Sequence, residues 1–399
     1  MEQDINKTTA CVLPFIHLAT HPNGMVTPCC KTDMTSGLSF SHSDKYGIPG
    51  VMDDQNFRVL GRESLKDIAN AKNFCGIRLK MLNGEEPKEC AGCYKLERTG
   101  EISKRIYENW KYPHTLDELR GMIDETGALK ELNYKTVELR IGNVCNLKCL
   151  TCNPMSSTKW NEDIAELPKK FQSGYYSLDK SFSTWYKDEK WYDELLSSAK
   201  DLEEIYINGG EPMLIKEHLY FLQKLCDLGI NKKIRLVYSI NLTLITPKVI
   251  ELWKQFKQVE LNVSIDDLGE RNDYIRYPSK FTATEANLNL LNNNSFDIKV
   301  IQTVSVLNVY NIGNFYEYFT QKGFKVEHNY VYWPEYLHVS LFKGEIPLDK
   351  LPEDKAKRLS DELNKDYSIF YDDFVAYIKS IDYIRGLSIN DYLTEFSYL

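Results

Sequence analysis

Short runs rich in β-branched residues alternate with helical stretches from about residue 133 onward, and this alternation constrains the fold more than any other feature of the chain. Strands that alternate with helices form parallel sheets, either open or closed into a barrel. We therefore predict an α/β fold, a partial (β/α)6 TIM-type barrel with parallel strands. The six predicted strands are 136–143, 203–208, 233–240, 258–265, 298–306 and 326–333.

The regions on either side of this core have a different character. Residues 1–105 are rich in cysteines and turn formers, and the last fifty residues have a helical pattern. We predict four parts in chain order: a loop-rich cysteine module over 1–105, a linker over 106–132, the barrel over 133–345 and a C-terminal helical extension over 346–399.

Composition narrows the function classes. The chain has 399 residues and a formal net charge of −8, so nucleic acid is a disfavoured partner, because proteins that bind phosphate backbones are usually basic. No apolar run approaches the roughly 20 residues that span a bilayer, and the N-terminus lacks the pattern of a secretory signal. We expect a cytoplasmic protein without a membrane partner. In that reducing setting, its ten cysteines indicate metal or redox chemistry.

Three cysteines lie in the loop after the first predicted strand. VCNLKCLTCNP places Cys145, Cys149 and Cys152 in a C-x3-C-x2-C spacing, and loops at this end of parallel strands line active sites. Three thiolates can hold three irons of a 4Fe–4S cube and leave the fourth iron open. A structural zinc site would need a fourth ligand, and the next cysteine or histidine is His218. On the residues alone, both kinds of site remain open.

The spacing and position of this loop resemble those of the radical S-adenosylmethionine enzymes. The resemblance implies that Cys145, Cys149 and Cys152 are the catalytic ligands of a 4Fe–4S cluster whose unique iron chelates S-adenosylmethionine. Cleavage of the cofactor would yield a 5′-deoxyadenosyl radical that abstracts hydrogen from a substrate. One residue departs from the family pattern, because Thr151 stands where an aromatic residue usually precedes the third cysteine.

The same resemblance assigns cofactor-binding residues to later strand ends. Gly209, Gly210 and Glu211 match the family's GGE motif, in which the backbone and the acid receive the amino group of S-adenosylmethionine. The segment NVSIDDLGERNDYIRYPSKF resembles the family's S-x-D segment with a following arginine. The further cofactor residues implied are Ser239, Asn241, Ser264, Asp266 and Arg276, the last suited to a carboxylate.

Each of these assignments has a simpler alternative. A Gly-Gly pair can be a plain turn before a helix, and Ser or Asn at a strand end can cap the next helix. Arg276 could instead form a surface ion pair with Asp273, three residues earlier on one helix.

A second set of cysteines lies near the N-terminus, as C-x12-G-x4-C followed by C-x2-C. Four thiolates can close either an iron–sulfur cluster or a four-cysteine zinc site. The arrangement resembles the SPASM/twitch modules of the family, which implies one auxiliary 4Fe–4S cluster, although those modules usually follow the barrel. Cys30 and Cys75 are further candidate ligands. The four implied ligands are Cys11, Cys29, Cys90 and Cys93.

We therefore predict a radical S-adenosylmethionine enzyme, an oxidoreductase or modifying enzyme. Its substrate would be a peptide or protein, or alternatively a small molecule such as an aminocyclitol that is dehydrogenated. The resemblance also implies an electron donor such as flavodoxin or ferredoxin. The competing hypothesis is a zinc-bearing, non-catalytic binding protein, in which both cysteine sets are structural.

Overall fold

The computed structural model of the chain describes residues 5–33, 63–172, 184–294, 296–342 and 346–397. The strands form an open, mostly parallel α/β sheet in the order β2-β1-β3-β4-β5-β6-β7-β8, which confirms the predicted fold class. Part of the predicted cysteine module, residues 34–62, lies outside the described residues. The strands are β1 His17–Thr20, β2 Val26–Thr27, β3 Thr136–Ile141, β4 Glu204–Gly209, β5 Arg235–Ile240, β6 Gln258–Ser264, β7 Asp297–Val304 and β8 Lys325–Tyr330.

Helices separate the strands β3 to β8, as the alternating pattern predicts. Short 3-10 turns occur between them, among them Thr158–Glu162 and Pro212–Leu214. The α-helices are α1 Leu13–Ile16, α2 Leu65–Ala69, α3 Lys72–Leu82, α4 Ala91–Arg98, α5 Lys104–Lys111, α6 Leu116–Gly121, α7 Lys169–Gln172, α8 Glu189–Ser197, α9 Glu217–Asp227, α10 Pro247–Trp253, α11 Gly269–Ile275, α12 Phe281–Asn292, α13 Ile312–Gln321, α14 Glu353–Leu363, α15 Tyr371–Arg385 and α16 Ile389–Tyr392.

The cysteine-rich N-terminal region contributes two strands that the sequence does not predict. β1 pairs with β3 in parallel, with His17 opposite Thr136 and Ala19 opposite Glu138, and β2 pairs with β1 in antiparallel orientation. Strands of four and two residues are too short to show an alternating pattern. The turn formers between them are therefore the stronger signal, and they indicate a loop.

The chain divides into two compact units. The first comprises 1–143, 174–236 and 252–257, and the second comprises 144–173, 237–251 and 258–399. This division groups residues by contact and not by evolutionary module, so the four predicted parts remain predictions.

In the first unit, β3 and β4 carry the apolar core. Val137, Leu139, Ile205 and Ile207 are fully buried, and the two strands run in parallel register from Thr136 opposite Glu204. The other face of β3 is polar, with Glu138 and Arg140 joined by an ion pair of 3.1 Å. Alternation of apolar and polar side chains along a strand places them on opposite faces.

In the second unit, β6, β7 and β8 are parallel neighbours, and the chain ends in the helices α14 to α16, as the predicted C-terminal extension requires. Helix α15 buries Phe374, Ile378 and Ile381 in an apolar cluster that also contains Leu150 and Trp160. Among the described residues, no helix combines the length and the apolar character needed to cross a membrane.

His328 on β8 makes the stability of the second unit sensitive to acid. Its side chain is 4% exposed, and its ring nitrogens have no hydrogen-bond partner among the described residues. Burial, with added repulsion from Lys355 and Arg358, lowers its pKa to about 4 from an ordinary value of 6.5. The unfolded chain therefore takes up a proton before the folded chain does, and stability falls as pH drops from about 6.5 towards 4.

Replacing His328→Phe should remove this acid sensitivity. From pH 7 to pH 5 we expect the wild type to lose about 2 kcal/mol more unfolding free energy than the variant. Urea unfolding of both proteins at the two pH values, followed by fluorescence, measures the difference. Equal losses in the two proteins would contradict the assignment.

Candidate active site

The three predicted catalytic cysteines lie in the loop that follows β3. Cys149 is 7% exposed, and a turn closes as the Cys152 amide donates to the Cys149 carbonyl at 3.0 Å. Burial raises the pKa of the Cys149 thiol to about 11. Burial and the neighbouring thiols of Cys149 and Cys145 raise that of Cys152 to about 12. The three thiols therefore lie close enough to influence one another.

Thiols with raised pKa values stay protonated at neutral pH unless a cation replaces the proton. Only thiolates bind iron or zinc, so a metal at this loop must displace the protons. All ten cysteines lie within the described residues, and none forms a disulfide. The donor set therefore suits a thiolate-bound metal group and excludes a structural disulfide in this loop.

Asn241, a predicted cofactor residue, lies beside the first cysteine of the loop. Its Nδ2 is 2.9 Å from Asn146 Oδ1 and 3.8 Å from Cys145 Sγ. Asn146 in turn donates to Thr243 Oγ1 at 2.8 Å. In the sequence, Asn146 is marked only by its place between Cys145 and Cys149. Ser239 on β5 and Ser264 on β6 are both partly buried.

Arg276 is a buried cation next to the cysteine loop. Its Nη1 donates to Asp266 Oδ2 at 2.9 Å, and Asp266 Oδ1 accepts from the Thr303 amide at 2.8 Å. Burial opposes the charge on Arg276, but Cys149 and Asp266 outweigh that cost and raise its pKa. Asp273, the alternative partner, instead accepts from the amide of Phe281.

Asp266 therefore holds Arg276 in place, since both of its carboxylate oxygens have partners within the protein. The pair uses Nη1 of Arg276, and a guanidinium has five N–H donors. The remaining donors are enough to bind a carboxylate.

In the first unit, the glycines after β4 permit a close backbone contact. Gly209 has a φ of +133°, and a Cβ there would lie 2.8 Å from the carbonyl oxygen of Gly142. The Gly210 amide donates to the same carbonyl at 3.1 Å. Glu211 is 1% exposed, and its carboxylate accepts from the Met213 amide at 3.1 Å. This segment is thus both a tight turn and a source of one buried carboxylate.

The four N-terminal cysteines converge on one cavity in the first unit. The cavity is partly open to solvent, and Lys31, Lys104 and Arg105 bring positive charge to its wall, where Glu89 adds a carboxylate. Burial, and then the neighbouring thiols, raise the pKa values of Cys11 and Cys90, which indicates that the thiols interact. The predicted ligands in the wall are Cys11, Cys29, Cys90 and Cys93.

Cys30 and Cys75 have other partners. The Cys30 thiol interacts with the carboxylate of Glu138, and Cys75 Sγ donates to the carbonyl of Asn70 at 3.3 Å. Over the described ranges, no group of three or more Cys, His, Asp or Glu side chains is arranged to hold a single metal ion.

Comparisons with known proteins give two family matches and one curated relative. The model of the radical SAM superfamily matches residues 139–334, and the SPASM model, an iron–sulfur cluster-binding domain, matches residues 11–94. An AdoMet-dependent heme synthase from Methanosarcina barkeri is 26% identical over 181 residues. That match covers 45% of each protein, so this chain spans less than half of the relative's length.

Two solved structures show a weaker likeness. Native anSMEcpe with bound AdoMet has a TM-score of 0.38 at 20% identity, over 63% of this chain and 62% of that one. Streptococcus suis SuiB bound to S-adenosylmethionine has a TM-score of 0.37 at 16% identity, over 68% and 57%. At these scores the likeness supports no conclusion about the site.

Proposed function

The chain belongs to the radical S-adenosylmethionine superfamily and carries an N-terminal SPASM region, and from this premise we propose that it is an enzyme that reductively cleaves S-adenosylmethionine and abstracts hydrogen from a substrate. Its cofactors are a 4Fe–4S cluster, S-adenosylmethionine and an auxiliary iron–sulfur cluster. The observation that carries the proposal is the set of three interacting thiols in one loop, with buried Arg276 acting on Cys149.

Each residue of this site has a proposed role. Cys145, Cys149 and Cys152 would hold three irons of the cluster and leave the fourth for the cofactor. Arg276, fixed by Asp266, would bind the carboxylate of S-adenosylmethionine, and Glu211 would bind its amino group. When bound, the cluster supplies the electron that cleaves the sulfonium. Asn241, beside Cys145, would orient the loop and exclude water.

We assign an auxiliary 4Fe–4S cluster to Cys11, Cys29, Cys90 and Cys93. A zinc ion bound at about 2.3 Å to each sulfur would draw four thiolates to a single point. The four cysteines instead line a cavity whose wall carries three cationic side chains and the carboxylate of Glu89, and this excess of positive charge suits an anionic cluster. Four protein ligands leave that cluster no open iron, so its role would be to accept an electron from the substrate radical.

For the substrate we propose a peptide or protein segment, with a small molecule such as an aminocyclitol as the alternative. Tyr332 and Trp333 follow β8 and are about half exposed, 49% and 53%. Aromatic surface at the carboxyl end of a strand offers apolar area on which apolar peptide side chains can pack. We also propose that a flavodoxin- or ferredoxin-type protein donates the electron and that the protein works in the reducing cytoplasm.

Glu211→Gln tests the proposed cofactor contact. Loss of the charged hydrogen bond should raise the KM for S-adenosylmethionine about tenfold or more, with 5′-deoxyadenosine measured after anaerobic reconstitution and reduction. Glu203→Gln is the matched control, because Glu203 is exposed beside the start of β4 and should leave the KM unchanged. An unchanged KM in Glu211→Gln would refute the role of Glu211.

The proposed function itself has a separate test. Anaerobic protein that is brown and forms 5′-deoxyadenosine supports the enzyme. Colourless protein with stoichiometric zinc and no cleavage of S-adenosylmethionine would support the binding protein instead. Deuterium transfer from labelled peptides or cyclitols into 5′-deoxyadenosine would identify the substrate class.

A further inference from the structure

The backbone of the three-cysteine loop is held by side chains from the turn that follows it and from the C-terminal helix of the second unit. Four consecutive carbonyl oxygens, those of residues 147–150, each accept a hydrogen bond from a different side chain. Exposed loops usually leave such groups to water, so this run of bonds indicates a loop held in one conformation. The donors are Ser157 Oγ to Leu147, Arg385 Nη2 to Lys148 at 2.8 Å, Trp160 Nε1 to Cys149 at 3.2 Å and Tyr377 OH to Leu150 at 3.1 Å.

Two of these four donors belong to α15 in the C-terminal extension. The helix ends at Arg385 because Gly386 takes a left-handed conformation with a φ of 62°. Tyr377 lies about two helical turns before Arg385. Between them, Asp382 accepts from Tyr274 OH of α11 at 2.8 Å. The helix is thus tied both to the cysteine loop and to the helix that precedes Arg276.

The loop amides are bonded to the end of that same helix α11 and the residues after it. The Leu150 amide donates to the carbonyl of Ile275 at 2.8 Å, and the Lys148 amide donates to that of Tyr277 at 2.7 Å. The loop therefore lies between the α11 end and α15, with hydrogen bonds to both.

Arg385 is the most constrained of the donors. Its side chain is 1% exposed, and its Nε donates to Asp163 Oδ2 at 2.8 Å. Asp163 also pairs with Lys148 of the loop. The guanidinium lies 5.0 Å from the ring centre of Trp160 and 5.1 Å from that of Tyr277. These contacts fix the position of Arg385.

The charge of Arg385 acts on the cysteine loop as well as on Asp163. Its Nη2 donates to the carbonyl of Lys148, the residue directly before Cys149, so the buried guanidinium lies against the backbone that carries the cluster ligands. Positive charge and hydrogen bonds near an iron–sulfur cluster favour its more negative, reduced state, and so raise its reduction potential.

We propose that α15 is a positioning element of the catalytic loop, in which Tyr377 and Arg385 fix the cysteine geometry and Arg385 also raises the reduction potential of the bound cluster. This inference rests on the proposed function. It extends the catalytic machinery to residues 371–385, which lie beyond the residues that either family model matches. No sequence motif marks them, because their partners are more than two hundred residues away in the chain.

The test compares variants in the full-length, reconstituted protein. Arg385→Gln removes the charge, Arg385→Lys keeps the charge but loses the planar fork of donors, and Tyr377→Phe removes one hydroxyl. Tyr383→Phe is the matched control, because Tyr383 lies on the same helix and is 87% exposed. The readouts are the midpoint potential of the cluster whose reduced spectrum changes on addition of S-adenosylmethionine, and the rate at which a chelator removes its iron.

We expect Arg385→Gln to shift that potential to a more negative value, and Arg385→Lys to restore most of the shift. Tyr377→Phe should speed iron loss about tenfold, as expected for one lost hydrogen bond to a buried carbonyl, whereas Tyr383→Phe should match the wild type. Wild-type potential in Arg385→Gln together with wild-type iron loss in Tyr377→Phe would overturn the inference.

Failure of the proposed function would be recognised separately. If no spectroscopic signal depends on Cys145, Cys149 and Cys152, the loop holds no cluster and the proposed function fails with this inference. If the signal depends on them but is unchanged in the α15 variants, only the inference fails. Should Arg385→Gln not fold, Tyr377→Phe still decides between these outcomes.

Discussion

Replacing Cys145, Cys149 and Cys152 together with alanine should abolish formation of 5′-deoxyadenosine and lower the iron content by roughly four per chain. The reason is that these thiols interact within one loop, and burial raises the pKa values of Cys149 and Cys152, so those two thiols stay protonated at neutral pH unless iron displaces their protons. The measurements are iron content after anaerobic reconstitution and 5′-deoxyadenosine after reduction with S-adenosylmethionine.

Cys226→Ala is the matched control for this variant. Cys226 lies on α9, outside both cysteine groups, and is partly buried, so its replacement should leave both iron and cleavage unchanged. Cleavage of S-adenosylmethionine that survived the triple replacement would show that the catalytic cluster lies elsewhere in the protein.

The auxiliary cluster should be lost, and cleavage of S-adenosylmethionine retained, when four other cysteines are replaced: Cys11, Cys29, Cys90 and Cys93. We expect the loss of roughly four other irons, continued formation of 5′-deoxyadenosine, and loss of the oxidised product, because the proposed electron acceptor is gone. The prediction follows from the cavity that these four cysteines line and from the raised pKa values of Cys11 and Cys90.

The fourfold replacement also removes buried side chains, since Cys11 packs with Leu13, Ile77 and Met81. Cys93→Ala alone tests the same assignment and removes only one side chain. Cys30→Ser and Cys75→Ser are the controls, because their thiols interact with Glu138 and Asn70. Iron loss in Cys30→Ser equal to that in Cys93→Ala would mean that Cys30 is a ligand, and stoichiometric zinc in the wild type would refute the auxiliary cluster.

Much of the fold could be predicted because its signals are local. The β-branched runs at 136–143 and 258–265 became β3 and β6 with ends that differ by one or two residues. β1 could not be predicted, because this four-residue segment forms a strand by pairing with β3, which lies more than a hundred residues later in the chain. Local patterns carry no information about such a partner.

Residues of the candidate site could likewise be predicted where the sequence signal is local, and not where their partners are distant in the chain. The spacing and the family resemblance together indicated the four N-terminal cysteines, and the structure brings them to one cavity. The resemblance indicated Arg276, but the carboxylate that holds it, Asp266, was expected to face the cofactor. Arg385 and Tyr377 escaped prediction, because a hydrogen bond to a loop carbonyl 237 or 227 residues away leaves no pattern in the sequence.

Thr151 is the one residue of the cysteine loop that departs from the family pattern. The structure places aromatic side chains nearby from other segments, since Cys152 packs against the apolar cluster that contains Phe171 and Tyr377. These two rings lie 5.4 Å apart between centres. Apolar cover for the loop is therefore present without an aromatic residue at position 151.

The central claim is that the three-cysteine loop leaves one iron open for S-adenosylmethionine. Mössbauer spectroscopy of ⁵⁷Fe-reconstituted protein, with and without S-adenosylmethionine, tests it most directly. With two 4Fe–4S clusters per chain, we predict that about one iron in eight acquires a new isomer shift when the cofactor binds. A spectrum that saturating S-adenosylmethionine leaves unchanged would contradict the account.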